Sequence, residues 1–111
     1  MSLYHVIIYV PEDAAKIVRA AAAAAGAGRI GTYDSCSFSS KGTGRFRPLK
    51  GAHPAVGKVG TLEEVEDERI ELVCEESRLK EVLNAIRSVH PYEEPAIHVL
   101  EMRDYRDVLR A

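Results

Sequence analysis

The segment from His90 to Pro95 holds the side chains best suited to chemistry: an imidazole, a phenol and two carboxylates within six residues. Its two prolines restrict the backbone, so the loop presents these groups in a fixed arrangement. An imidazole beside carboxylates can bind a divalent metal ion or transfer protons. We therefore predict a metal site formed by His90, Glu93, Glu94 and Cys36, for which imidazole and thiol ligands favour copper or zinc. The alternative is that the imidazole caps the end of a helix and the phenol packs between subunits.

A second segment is rich in glycine and basic residues and predicts a site for a small anionic ligand. Ser40 to Arg45 (SKGTGR) lacks the order of a nucleotide-binding P-loop, but its backbone N–H groups could form an anion nest. The alternative is the exposed tip of a β-hairpin. The candidate ligand-binding residues of this region and of the proline-bounded loop are Tyr33, Ser35, Lys41, Arg45, Arg47 and Tyr92.

Two other motifs do not support catalysis. Gly26 to Gly31 matches GxGxxG, yet it follows a helical pattern and precedes a strand, the reverse of the order in dinucleotide-binding folds. We predict that it ends a helix. Cys36, between two serines, would be the nucleophile of a hydrolase, but no spacing assigns it a base and an orienting group.

Length and composition fit one domain over residues 1–111 and set limits on its partners. The chain has a formal net charge of −2 and a pI near 6.1, so we expect neither nucleic-acid nor membrane binding. The sequence has no apolar run long enough to span a membrane and no signal-peptide pattern. The two cysteines follow no zinc-binding spacing, so we expect reduced thiols and a cytoplasmic location.

Hydrophobic periodicity predicts an alternation of strands and helices. Strands are expected at Leu3–Val10, Arg69–Cys74 and Ala96–Leu100, with a β-hairpin in 31–48 that turns at Lys41–Gly44, and a short strand near Val56–Val59. Helices are expected from Pro11 to Ala25, from an N-cap at Ser77 to Pro91, and at Tyr105–Leu109. The acidic run Glu63–Glu68 is expected to be a solvated turn or strand edge.

This order predicts an α+β fold: a ferredoxin-like βαββαβ sandwich with an extra β-hairpin. Both helices would cover one face of the sheet. The other face would carry apolar side chains from alternate strand positions, and we expect other subunits to cover it.

Two stretches carry a family resemblance: Gly26–Gly57 (GAGRIGTYDSCSFSSKGTGRFRPLKGAHPAVG) and His90–Ala96 (HPYEEPA). They resemble the inserted, YqfO-type domain of the NGG-one-interacting-factor-three-like family, and the resemblance extends from about Leu3 to Leu100. In that family the domain lies between two halves that build a dinuclear metal centre. Those ligands have no counterpart here, so the resemblance implies neither that metal centre nor a cyclohydrolase activity.

The inserted domain is itself similar to the CutA and PII proteins, and His90–Glu93 (HPYE) resembles the CutA signature. This similarity implies a trimer with clefts between subunits, where PII-like proteins bind nucleotides or small effectors and CutA has been linked to divalent copper.

The leading interpretation is thus a non-enzymatic, trimeric module that binds a small ligand and has a regulatory role. The first alternative is a copper- or zinc-binding protein of the CutA type. A small hydrolase is the third interpretation and has the least support.

Overall fold

Four antiparallel strands with two long helices on one face make up most of the computed structural model, which describes residues 2–111. The elements in chain order are β1 (Leu3–Pro11), α1 (Glu12–Ala24), β2 (Phe38–Phe46), β3 (Glu63–Glu75), α2 (Glu76–Val89), β4 (Ile97–Met102) and α3 (Tyr105–Arg110). The strands lie in the order β2-β3-β1-β4, and every neighbouring pair is antiparallel. The predicted α+β class and its ferredoxin-like βαββαβ order are confirmed.

The core lies between the sheet and the two long helices. Alternate residues of β1 and β3 face the helices, and the register places Ile8 opposite Ile70 and Val6 opposite Leu72. All four of these side chains are buried. Helix α1 contributes Ala15, Val18 and Ala22 to the core, and α2 contributes Val82 and Ile86. The 3.6-residue apolar stripes of the helices therefore meet one face of the sheet.

The ends of the helices follow from local chemistry. The Gly26–Gly31 motif does end α1, as predicted: the Ala27 N–H donates to the Ala22 carbonyl and the Gly26 N–H to the Ala23 carbonyl, both at 3.0 Å. Gly26 has φ of 111°, a conformation that glycine adopts without strain. The predicted N-cap of α2 at Ser77 is wrong. Since β3 continues directly into the helix, α2 begins at Glu76 and has no side-chain cap.

Within the region predicted as a hairpin, Phe38–Phe46 forms one continuous strand, so the turn predicted at Lys41–Gly44 is wrong. Strand β2 pairs along its whole length with Glu63–Glu71 of β3, so the acidic run also belongs to a strand. The pairing is favourable because basic residues of β2 lie opposite acidic residues of β3, as Arg45 lies opposite Glu64. The strand predicted near Val56–Val59 is also wrong, since 47–62 contains no strand in the described part of the chain.

Strands β2 and β3 extend beyond the rest of the sheet. Strand β1 pairs with Asp67–Glu75 only, so Thr43–Phe46 and Glu63–Glu66 pair only with each other. We call this two-stranded extension the ribbon. It contributes to an elongated molecule with dimensions of 52 × 24 × 24 Å. Strands β2 and β3, joined by the loop 47–62, are therefore the central ββ unit of the βαββαβ order.

The sheet face that the helices leave uncovered, the open face, is mixed in character. One row across it contains Val73, His5 and Leu100, and the next row contains Phe38, Glu71, Ile7 and His98. His5 Nε2 lies 3.1 Å from Glu71 Oε1, so charged groups lie among the apolar ones. The expectation of an apolar face therefore holds only for part of each row.

The remaining helix, α3, follows Asp104, whose carboxylate accepts a hydrogen bond from the Arg106 N–H at 3.0 Å. None of its residues is buried. No helix within residues 2–111 has the length and apolar character that crossing a membrane requires.

The core assignment predicts that Ile8→Ala lowers the free energy of unfolding by about 2–5 kcal/mol, because it leaves a cavity at the centre of the sheet. Ile17→Ala is the matched control, since Ile17 is 59% exposed on α1 and its truncation should change the value by no more than about 0.5 kcal/mol. Urea unfolding measures both values. Equal losses in the two variants would contradict this assignment of the core.

Candidate functional site

A cavity of about 580 Å³ lies where the ribbon, the loop 47–62 that joins its two strands, and the turn after α2 meet. Residues 44–49, 52 and 54–56 form one side, residues 92–94 form another, and Tyr9, Asp67 and Ala96 complete it. We call this cavity the ribbon cleft. It joins the basic segment and the proline-bounded turn within one chain, two regions that lie more than 40 positions apart in sequence.

His90 fixes the turn that forms one wall of the cleft. Its ring is 8% exposed, and Nε2 lies 2.8 Å from the Tyr9 carbonyl oxygen while Nδ1 lies 3.1 Å from the Tyr92 backbone nitrogen. A carbonyl can only accept and a backbone N–H can only donate. The imidazole is therefore neutral, with its proton on Nε2, and it ties the turn to the central strand β1.

The Tyr92 side chain lies in the cleft as a neutral phenol. Its ring centroid is 5.6 Å from that of Phe46, with the two planes tilted by 58°, so the turn packs against the end of β2. Burial raises the pKa of Tyr92 to about 12, and the nearby carboxylates of Asp67 and Asp13 add to this effect. The hydroxyl therefore stays protonated at physiological pH.

Asp67 carries a partly buried carboxyl group in the cleft. It leans over Gly44 so closely that a methyl group on that glycine would overlap its carboxylate. Burial raises the pKa of Asp67, and the charge of a protonated His90 would oppose this effect. Three buried side-chain atoms have no hydrogen-bond partner among the described residues: Asp67 Oδ1, Tyr92 Oη and Arg69 Nε. Two of these three atoms belong to residues that line the cleft.

A smaller cavity of about 180 Å³ adjoins the cleft on the open face. Tyr9, Gly44 and Asp67 line both cavities. The smaller cavity is also lined by residues 40–43 of β2 and by Arg69. Arg69 does not neutralise Asp67: its Nη2 lies 3.6 Å from Glu71 Oε1, and its guanidinium carbon lies 5.8 Å from the Tyr9 ring centroid.

The structure brings together part of the predicted ligand-binding set. Arg45, Arg47 and Tyr92 line the cleft, and Lys41 lines the smaller cavity beside it. Tyr33 and Ser35 line neither cavity. The Tyr33 side chain is 74% exposed, and the Ser35 hydroxyl donates to the neighbouring Asp34 carboxylate at 3.1 Å.

The four predicted metal ligands do not form one cluster. Both nitrogens of His90 bind backbone groups, and Glu93 Oε1 accepts from the His53 backbone N–H at 3.0 Å. Glu94 also lines the cleft, whereas Cys36 lines a separate shallow cavity beside His5. In residues 2–111, no three His, Cys, Asp or Glu side chains gather closely enough to hold a metal ion. This arrangement does not fit a copper or zinc site of the predicted composition.

Sequence reasoning missed Asp67, Arg69, Tyr9 and Phe46. Asp67 was placed in a solvated acidic run and Arg69 at the start of a strand, although the alternation of 63–69 contained a usable signal. Val65, Asp67 and Arg69 occupy one face of β3, while Glu64, Glu66 and Glu68 occupy the other. Tyr9 and Phe46 had no local signal, because their role depends on the register of three strands.

No protein-family model matches the chain. Among curated proteins, a Mycobacterium tuberculosis protein named "GTP cyclohydrolase 1 type 2 homolog" is 49% identical over 96 residues, which are 86% of this chain and 25% of that protein. The chain spans about a quarter of the length of the curated relatives it matches.

Solved structures with a similar fold include a NIF3-related protein and CutA. The Bacillus cereus protein related to NIF3 superposes with a TM-score of 0.81 at 41% identity, over 93% of this chain and 26% of that one. CutA from Xylella fastidiosa has a TM-score of 0.70 at 13% identity, over 99% of this chain and 93% of that one. The resemblance to the inserted domain and the likeness of fold to CutA are thereby confirmed.

The position of Asp67 over Gly44 predicts that Gly44→Ala lowers the free energy of unfolding by roughly 1–3 kcal/mol, because the added methyl group displaces the carboxylate. Gly42→Ala is the control: it lies on the same strand and face, and an added Cβ there meets no atom within 4 Å. Chemical denaturation compares the two variants. A loss in Gly42→Ala as large as that in Gly44→Ala would contradict the assigned register.

The raised pKa of Asp67 means that the ionised carboxylate destabilises the folded state near neutral pH. Asp67→Asn should therefore raise the melting temperature there. The gain should shrink as pH falls through the folded-state pKa, since the native carboxyl group then becomes protonated, and it should vanish below the unfolded-state pKa. Glu66→Gln, on the opposite face of β3, is the control. A lower melting temperature in Asp67→Asn at neutral pH would contradict the account.

Proposed function

We propose that this chain is a non-enzymatic binding module that forms a trimer and holds a small ligand in the ribbon cleft. The observation that carries the proposal is the cleft itself, which is about 580 Å³ in volume and combines mostly apolar walls with two unpaired buried polar atoms. Pockets of this size and character are the usual form of small-molecule sites. The module is taken as one domain over residues 1–111.

The trimer rests on the fold and on the open face. The likeness of fold to CutA, together with the similarity to PII, favours assembly through the sheets. The open face supports this, because Phe38 and Leu100 are 67% and 52% exposed there and the polar side chains of His5 and Glu71 lie between them. A neighbouring subunit would cover these apolar groups and offer partners to the polar ones. A cytoplasmic location is part of the proposal, since Cys36 and Cys74 are both free thiols.

A divalent-metal function has less support from the geometry. The structural neighbours include proteins named for divalent cation tolerance, such as that from Thermus thermophilus. Metal binding through His90 would require its ring to release the Tyr9 carbonyl or the Tyr92 N–H. We therefore assign His90 a positioning role and do not assign copper or zinc to this chain.

A hydrolase function also has less support. The curated relatives carry the name of a GTP cyclohydrolase homologue, but this chain corresponds to only about a quarter of their length. Cys36 lies outside the cleft, and the imidazole of His90 binds backbone groups, so these residues do not form a nucleophile–base pair.

The trimer predicts a molar mass near three times 12.2 kDa by light scattering. Leu100→Asp should reduce the mass toward that of the monomer, because it places an uncompensated charge on the open face. Ile17→Asp is the control, since Ile17 has comparable exposure on the helical side, and it should keep the parent mass. A monomeric parent protein at all concentrations would overturn the trimer proposal, as would a Leu100→Asp variant that keeps the full mass.

A further inference from the structure

The ribbon cleft has aromatic walls. The Phe46 and Tyr92 rings lie 5.6 Å apart between centroids, and Tyr9 forms part of the lining beside Asp67. The faces of aromatic rings carry negative potential and attract organic cations. Pro48, Leu49 and Val56 of the loop extend the lining with apolar surface that contains no charged group. The cleft is thus built to take an apolar body that carries a positive charge.

A carboxylate lies where these walls meet. Asp67 Oδ1 and the Tyr92 hydroxyl are both hidden from solvent and have no hydrogen-bond partner among the described residues, so a ligand contacts them only after these side chains turn toward the cleft. A buried carboxylate without a donor is costly, and an ammonium group is the partner that would compensate it most strongly. One ammonium group has three N–H donors, enough to bind both Asp67 Oδ1 and Tyr92 Oη.

The basic residues of the region do not reverse this charge preference. Arg45 Nε lies 3.3 Å from Glu64 Oε1, and Lys41 Nζ lies 3.2 Å from Glu12 Oε1, so their charges are already paired within the chain. Arg47 also lines the cleft and forms no ion pair among the described residues, so it adds one positive charge there. The cleft lining also includes two further carboxylates, from Glu93 and Glu94. The cleft therefore favours an anionic ligand less than the basic segment of the sequence predicts.

From these contacts we infer that the ribbon cleft binds a primary organic amine, with the ammonium group on Asp67 and Tyr92 and an aromatic or apolar body against Phe46 and the loop 48–56. This inference rests on the proposed small-ligand function and names the chemical class of the ligand. It replaces the small anion that the basic segment predicted.

The test compares three probes of nearly equal shape on the full chain: 2-phenylethylamine, 2-phenylethanol and phenylacetate. Binding is followed by amide chemical shifts, which also show that each variant is folded. The amine should bind at least about tenfold more tightly than the alcohol and shift the amides around Asp67 and Tyr92, whereas phenylacetate should bind most weakly.

Asp67→Asn should remove the preference for the amine over the alcohol, because the amide lacks the negative charge. Tyr92→Phe should reduce amine affinity by a smaller factor, since it removes one acceptor but retains the ring. Glu66→Gln is the charge-matched control on the opposite face of β3 and should keep the preference. Amine selectivity that survives in Asp67→Asn would overturn the inference.

The other outcomes separate this inference from the proposed function. Tighter binding of the alcohol or of phenylacetate in the cleft would overturn the amine assignment while supporting a small-ligand site. No saturable shift with any probe at millimolar concentration would count against both. The oligomeric state is measured independently of either result.

Discussion

The two hydrogen bonds of the His90 ring determine the position of everything on one side of the cleft. Nε2 donates to the Tyr9 carbonyl of the central strand, and Nδ1 accepts from the Tyr92 N–H of the turn. Because both partners are backbone groups, the imidazole acts as a structural link between β1 and the segment after α2. Tyr92 then packs against Phe46 at the end of β2, and the ribbon becomes the opposite wall. A side chain that resembles a metal ligand in sequence is thus a positioning residue in the structure.

The other side of the cleft depends on the register of β2 against β3. Gly42 lies opposite Asp67 in the register. The Asp67 carboxylate lies over Gly44, two residues further along β2. A shift of one residue would move Asp67 to the helical face and remove the carboxyl group from the cleft. The unpaired carboxylate weakens the fold, and such a cost is typical of a site that is completed by a ligand. The cleft and the stability of the sheet are therefore coupled through one residue.

Most of the architecture could be predicted from the sequence, because the apolar stripes of α1 and α2 and the alternation of Arg69–Cys74 in β3 follow directly from burial on one face. The errors have physical causes. Lys41–Gly44 has turn composition but forms continuous strand, since pairing Lys41 and the adjacent Arg45 with acidic residues of β3 outweighs local preference. Ser77 was taken as an N-cap because its residue type suits one, yet β3 passes into α2 without a break. The cleft could be predicted only in part: Arg45, Arg47 and Tyr92 were identified from residue type. The alternation of 63–69 assigns Asp67 to one face of a strand, but its position beside Gly44 depends on the register of β2 against β3, which no local pattern specifies.

The central claim is that Asp67 presents a partly buried carboxylate in the ribbon cleft, with Oδ1 inaccessible and unpaired among the described residues. Its most direct test is a titration of the Asp67 carboxyl carbon by ¹³C NMR, first on the free chain and then with saturating 2-phenylethylamine. The account predicts a midpoint above the value of about 3.9 for an unperturbed aspartate, and a lower midpoint once an ammonium group favours the ionised form. A midpoint at or below about 3.9 in the free chain would mean that the carboxylate is already compensated, and it would contradict the account.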